Sequence, residues 1–367
     1  MRINKLTLEG FRNYRGQTLE FDPACNVIHG ENAQGKTNLL EAMVYLSCGK
    51  SPRTRTEREL ISFDGGEARI IGEIYSRERE FITDITLRAG SRRKMTVNGV
   101  AAKNASELSE VLHTVFFSPE DLFLIREGAA ARRGFLDDCI CQLRPRYALA
   151  LAEYRRLHEH KTRILRDSEE KPSLLDTLDE FSLGMAKAGA LLIHYRAHFI
   201  KRLCQAAPAI HGDFSGGREQ LMLKYETVST VTDPEAGPQV IFQQLLQHQE
   251  SHRAAEIASR QCLSGPHKDD LLVEINGRAA KSFASQGQTR TAALSLKLAA
   301  REIFQQDTGE YPVLLLDDVL SELDPRRQEF VLNRIRGGQV FITCCEDDRL
   351  PHLSGGRIFH IKDGAGR

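Results

Sequence analysis

Over the first hundred residues, apolar and polar positions alternate in short runs broken by turn residues. "KLTLE", "LEFDP" and "NVIHG" read as strands; the second ends at a Pro turn and the third feeds a glycine-containing loop. "ARIIGEIYS", "FITDITLRA" and "RKMTVNGVA" follow as β segments, the last turning at Asn98-Gly99, a pair that favours tight hairpins. "TVFFSPEDL" is another strand, leading to a turn at Pro119. Near residue 130 the period lengthens. "RRGFLDDCICQLRPRYALALAEYRRLHEHKTRILRD" and "LLDTLDEFSLGMAKAGALLIHYRAHFIKRLCQ" carry apolar residues three and four apart, which predicts long helices on either side of "DSEEKPS". "TDPEAGP" then breaks the chain before a third helical run, "QVIFQQLLQHQESHRAAEIASRQCL". After "SGPHKDD" the β character returns in "LLVEINGRAA". A helix starting within "SQGQTRTAALSLKLAAREIF", a buried strand in "YPVLLLDDVL", a helix in "DPRRQEFVLNRI" and strands in "GQVFITCC" and "GRIFHIKDG" complete the chain.

These patterns predict an α/β protein of two domains. The β-rich ends, residues 1–129 and 263–367, form one discontinuous lobe, and a mostly helical lobe, residues 130–262, is inserted between them. A length of 367 residues suits two domains, and an apolar fraction of 41% with 27% charged residues is ordinary for a soluble protein. No run of 18 apolar residues predicts a membrane span, and "MRINKLTLEG" lacks the apolar core of a secretory signal, so a cytoplasmic location is expected. Eight cysteines without a C-x-x-C spacing read as reduced thiols, not as a zinc site or disulfide framework. Zero net charge argues against indiscriminate nucleic-acid affinity. Lys and Arg nevertheless outnumber Asp and Glu over residues 49–103 and 130–166, so local basic surfaces are expected; each run also reads as a plain solvated face.

One stretch carries recognisable chemistry. In "IHGENAQGKTNLLEAM" a strand end runs through Gly30, Glu31, Asn32, Ala33, Gln34, Gly35, Lys36 and Thr37 into a helix. This is the spacing G-x-x-x-x-G-K-[ST] in its strand–loop–helix setting. The glycines let successive N–H groups face phosphate oxygens, and the helix adds its positive end. Lys36 would reach the terminal phosphates, and the Thr37 hydroxyl would ligate Mg²⁺. "VLLLDD" supplies the carboxylates such a site requires, with Asp317 placed to hold the metal and Asp318 to orient or deprotonate a water. Alone, two aspartates after a strand also read as a turn or helix cap. Coupled to Lys36, the metal role is preferred.

Lys36 and Asp317 stand far apart with a helical block between them. That separation resembles the ATPase heads of the ABC/SMC class. Ser285, Gly287 and Gln288 in "SQGQTRTAALSLKL" occupy the place of the class signature, and "SELD", ending at Asp324, follows the acidic strand. "FRNYRGQTLEF", "GENAQGKTNLLEA", "FFSPEDL", "RRGFLDDCI", "GPHKDDL", "SQGQTRTAALSLKLA" and "LLLDDVLSELD" together resemble the RecF family of bacterial repair proteins, over residues 1 to about 345. The resemblance implies an ABC-type ATPase head that binds ATP with Mg²⁺ and dimerises with it. It implies DNA binding and work with RecR and RecO in loading RecA at gapped DNA. It further implies that Ser285, Gly287 and Gln288 meet ATP bound to the opposite subunit and that Asp324 lies at the dimer seam. Three departures imply a slow, switch-like ATPase. Gln286 replaces a signature glycine, Asp318 replaces the usual Glu, and "FITCC" puts Thr343, or else Cys344, where transporters have a switch histidine. The missing histidine and the β-rich start disfavour a transporter subunit. A long-armed SMC protein would need a far longer insertion.

For DNA, a clamp would use cations on phosphates with little base reading. Arg92, Arg93 and Lys94 beside a hairpin are candidates, as are Arg132, Arg133, Arg144 and Arg146. Arg53 and Arg55 in "SPRTRTEREL" instead suit nucleotide or dimer contacts.

Overall fold

The computed structural model describes residues 1–319, 323–335, 337–345 and 356–366. In chain order, strands β1 (Arg2–Phe11), β2 (Tyr14–Glu20) and β3 (Cys25–His29) precede helix α1 (Lys36–Cys48). Strands β4 (Glu67–Ser76), β5 (Arg79–Arg88), β6 (Lys94–Val97) and β7 (Val100–Ala101), the short α2 (Ser106–Ser109) and β8 (Thr114–Phe117) follow. Next come α3 (Phe123–Arg126), α4 (Ala129–Leu143), α5 (Pro145–Asp167), α6 (Leu178–Ser215), β9 (Leu221–Glu226) and α7 (Pro238–Ser259). Then β10 (Asp270–Ile275), β11 (Arg278–Ala279), α8 (Ala280–Phe283) and α9 (Gln286–Thr308) lead to β12 (Val313–Leu316). The chain closes with α10 (Pro325–Arg334), β13 (Val340–Cys344), β14 (Arg357–Lys362) and β15 (Ala365–Gly366).

The chain divides into two units, Met1–Leu122 with Ala293–Arg367, and Phe123–Ala292. The first unit holds two sheets. One is antiparallel, in the order β2-β1-β4-β5-β6-β7, and the other runs β15-β14-β3-β13-β12-β8 with every strand but β15 parallel. Helix α1 is buried on almost every side, because it touches β4 and β5 of the first sheet and β8 and β13 of the second. Its Leu39, Leu40 and Met43 join Ile3, Leu6 and Ile70 from one sheet and Ile28, Val313 and Phe341 from the other in a single core. Truncating a fully buried leucine such as Leu40 to Ala would cost about 2–5 kcal/mol. In the parallel sheet the carboxyl ends of β3, β12 and β13 lie side by side, the place where ligands bind in open parallel sheets.

In the second unit, α5, α6 and α7 pack together, and a three-stranded sheet, β11-β10-β9, lies against α6 and α4. Here the domain limits differ from expectation. Residues 123–129 and 263–292 belong to the second unit, not to the nucleotide-binding lobe. The cause is strand pairing: β10 runs in register with β9, Leu271 opposite Tyr225 and Val273 opposite Leu223. Among the described residues, no helix is long and apolar enough to cross a membrane. Among the described residues no cysteine is joined in a disulfide.

Candidate nucleotide site

Strand β3 delivers the loop of residues 30–37 at the edge of the parallel sheet. Gly30 has φ 155° and Gly35 φ 113°, and an added Cβ would stand 2.3 Å from the Ile361 carbonyl oxygen at the first and 2.7 Å from the Asn13 amide at the second. No side chain caps α1, and its first turn carries no acid, so the positive helix end faces the loop unneutralised. Asn13 Nδ2 donates to Gln34 O at 2.9 Å and Tyr14 OH to Gly35 O at 3.0 Å. From the other side the Gly364 N–H donates to Gln34 O at 3.0 Å, and the Asp363 N–H to Gln34 Oε1 at 2.7 Å. The loop is thus clamped by the β1–β2 turn and the β14–β15 turn.

Lys36 is 7% exposed, and its Nζ donates to Gly30 O at 2.5 Å and Glu31 O at 2.9 Å across the loop mouth. Glu31, Asn32 and Ala33 are exposed at the rim. Thr37 Oγ1 donates into the Asp317 carboxylate at 3.0 and 2.9 Å. Asp317 leaves β12 6% exposed, and burial raises its pKa above the ordinary carboxylate range, opposed by hydrogen bonds from Thr343 and Thr37. Asp318 takes φ 51°, a left-handed turn that Asp tolerates, and its N–H donates to Thr343 Oγ1 at 2.8 Å. A buried carboxylate facing a hydroxyl, both hard oxygen donors, fits Mg²⁺.

Thr343 does not stand at the loop mouth. It is 1% exposed and donates to Asp317 Oδ1 at 2.8 Å, so it orients the two aspartates from beneath. Cys344, the other residue expected near the terminal phosphate, is buried too. Cys345 takes that place: its Sγ lies 3.2 Å from Lys36 Nζ and 2.9 Å from Asn32 Oδ1. Alternation along the extended chain puts residues 343 and 345 on the site's side and residue 344 on the other.

A second group supports the loop from β1. Arg12 makes a two-pronged pair with Glu41, at 2.9 and 2.8 Å, and Glu41 is fully buried within α1. Ser51 donates to the same carboxylate, and Arg53 lies 3.7 Å from it while donating to Asn38. The sequence marked Arg53 as a nucleotide or dimer residue but gave "FRNY" no role, since a turn arginine looks like any exposed one.

In the second unit Ser285 is the exposed N-cap of α9. Its Oγ accepts from the Gln288 N–H at 3.3 Å, and Gln288 Oε1 accepts from the Ser285 N–H at 2.9 Å, the reciprocal capping box of S-x-x-Q. Gly287 lies between them in the first turn. In the first unit Asp324 caps α10, accepting from the Arg327 N–H. Ser321 and Glu322 of "SELD" lie outside the described residues.

The basic candidates separate clearly. Arg132 is 5% exposed and is spent on both Asp270 oxygens and on the carbonyls of Leu124 and Glu127, so it is structural and unavailable to DNA. Arg93 is likewise held, by Tyr45 OH, Gly49 O and Glu57. Arg133 is half-buried and donates to Asp269 O, and Arg144 donates to Leu143 O. Arg92, Lys94 and Arg146 are exposed.

The sequence model of the family described as RecF/RecN/SMC N terminal domain matches residues 2–355. The chain is 38% identical over 367 residues to the DNA replication and repair protein RecF of Acetivibrio thermocellus, covering 100% of this chain and 99% of the relative. It is 40% identical over 372 positions to the protein of the same description from Listeria innocua, covering 99% of each. A solved structure described as the recombination mediator protein RecF-ATP in the RecFOR pathway is similar at TM-score 0.91 and 33% identity, covering 100% of this chain and 96% of that one. An Smc head domain from Pyrococcus furiosus, at TM-score 0.56 and 16% identity over 100% and 95% of the two chains, shares the fold alone. The architecture is that of ABC/SMC-type ATPase heads, and the chain belongs to the RecF family of DNA replication and repair proteins.

Proposed function

We propose that this chain is a nucleotide-gated DNA clamp of recombinational repair, dimeric when ATP is bound and a slow ATPase. Its strongest support is the convergence of Thr37 and Asp317 below Lys36 at the carboxyl edge of the parallel sheet. Lys36 neutralises the terminal phosphates of ATP, and the loop N–H groups of residues 30–37 cradle them. Thr37 and Asp317 would hold Mg²⁺, which would supply charge neutralisation to the phosphates. Asp318 orients the attacking water and accepts its proton; its side chain is shorter than the Glu usual in transporters, which suits slow turnover. Ser285 and Gly287 of one subunit close over the nucleotide of the other, with Asp324 at the seam. In this role the protein works on DNA with RecO and RecR to load RecA at gaps, in support of the SOS response.

Titration of labelled duplex with and without ATP, over a salt series, tests this. Affinity is expected to rise with ATP and fall steeply with salt. Lys36→Met is expected to abolish tight binding of a fluorescent ATP analogue and, with it, the ATP-dependent gain in DNA affinity. Duplex binding indifferent to ATP would overturn the gating.

A further inference from the structure

At the C-terminal end of α1, in the first unit, lies an open groove of about 810 Å³ lined by Arg92, Arg93, Lys103, Asn104, Met95 and Glu57 together with three alanines. We propose that this groove receives the phosphate backbone of a DNA duplex, with Arg92 and Lys103 as the phosphate-contacting cations. The assignment rests on the DNA-clamp function proposed above and locates one of its contact surfaces.

Charge bookkeeping sets the groove apart from the rest of the sheet. On the outer face of the antiparallel sheet three cations of β1, β4 and β5 are neutralised by carboxylates on neighbouring strands: Arg69 pairs with Asp84, Arg88 with Glu67, and Lys5 with Glu73. Those pairs leave little net field for a polyanion. Among the described lining residues the only carboxylate is Glu57, and it is committed to Arg93 and to Tyr45 OH; at the rim Glu107 accepts from the Lys103 N–H at 3.0 Å. Arg92 and Lys103 are exposed, and neither side chain has an ion-pair partner among the described residues. Arg93 is a wall, not a ligand, because one of its nitrogens is already shared by Tyr45, Gly49 and Glu57. Asn104 Oδ1 accepts from the Ser106 N–H, which leaves its amide N–H donors for a further acceptor. The groove therefore offers two exposed cations and an amide to an anion, and its lining holds no aromatic for base stacking. That inventory suits a sugar-phosphate backbone read without regard to sequence. The Arg93 contacts at Gly49 and Tyr45 also tie the groove wall to the helix whose other end carries Lys36.

The test is duplex binding by Arg92→Ala/Lys103→Ala across a salt series, with ATP present and with ATP-analogue affinity as the check on folding. Arg79→Ala, at an exposed cation that begins β5, is the control. Loss of two phosphate contacts is expected to lower the slope of log affinity against log salt by about two and to weaken all duplex sequences alike. Arg92→Glu/Lys103→Glu should weaken binding further. Inorganic phosphate bound by the wild type at millimolar concentration and lost in the double variants, with duplex affinity unchanged by the substitutions, would make this a free-anion site and overturn the assignment. Wild-type binding that both double variants retain in full, slope included, would overturn the groove alone. Absence of duplex binding by the wild type would overturn the DNA function together with it.

Discussion

Thr37 Oγ1 lies 3.0 and 2.9 Å from the two carboxylate oxygens of Asp317, joining residues 280 positions apart in the chain. One comes from the first turn of α1 and the other from the end of β12, and the parallel sheet brings them together. Thr343 donates to Oδ1 of the same carboxylate and accepts from the Asp318 N–H, so one hydroxyl sets the geometry of both aspartates.

The two aspartates are expected to fail differently. Asp317→Asn removes the charge that faces Thr37 and should weaken Mg²⁺-dependent ATP binding. Asp318→Asn keeps the shape but loses the base; ATP affinity should survive while hydrolysis slows about a hundredfold. Single-turnover hydrolysis beside equilibrium ATP binding separates them. Wild-type turnover in Asp318→Asn would remove that residue from the chemistry.

Arg12→Ala should destabilise the first unit. Glu41 is fully buried, and losing its two-pronged partner leaves a charge that Ser51 and the more distant Arg53 only partly satisfy. Removing one member of a buried pair costs about 3 kcal/mol. A denaturant midpoint lowered at unchanged slope would show it. An unchanged midpoint would mean that the pair contributes nothing net.

A pH effect is expected from His267. Its Nε2–H donates to Cys262 O at 3.0 Å, and in the neutral ring its Nδ1 accepts from Tyr154 OH at 2.6 Å. Burial pushes its pKa down to about 3, helped by the neighbouring His158, Lys268 and Arg133. The folded state therefore binds no proton there while the unfolded chain does below about 6.5, so this contribution is full at neutral pH and lost as pH falls. At pH 5 the loss is about 2 kcal/mol. Chemical denaturation at pH 7 and 5 should show it, and His267→Gln should show a smaller difference between the two.

Much of this was legible in the sequence where local pattern decides structure. The strands of the first sheet follow from period-two alternation, and the phosphate loop from two glycines, a lysine and a threonine at fixed spacing. Strand β9 was not legible, because "LMLKYE" sits in a polar stretch after a glycine pair and pairs with β10 far along the chain. Missing it moved the domain limit. The roles of Arg93 and Arg132 were hidden for a related reason: a cation's task depends on the carboxylates that folding brings to it. Cys345 was hidden by its twin, since only the seating of β13 decides which cysteine reaches Lys36.

The most direct test of the clamp is sedimentation velocity with ATP and Mg²⁺, comparing the wild type with Ser285→Arg. Ser285 caps α9 and is exposed, so the substitution also removes a cap worth about 1 kcal/mol; Ser285→Ala carries that loss without the added bulk. The wild type and Ser285→Ala should sediment as dimers only with ATP. Ser285→Arg should remain a monomer while binding the ATP analogue normally. An ATP-dependent dimer that persists in Ser285→Arg, or a wild type whose sedimentation ignores ATP, would contradict the account.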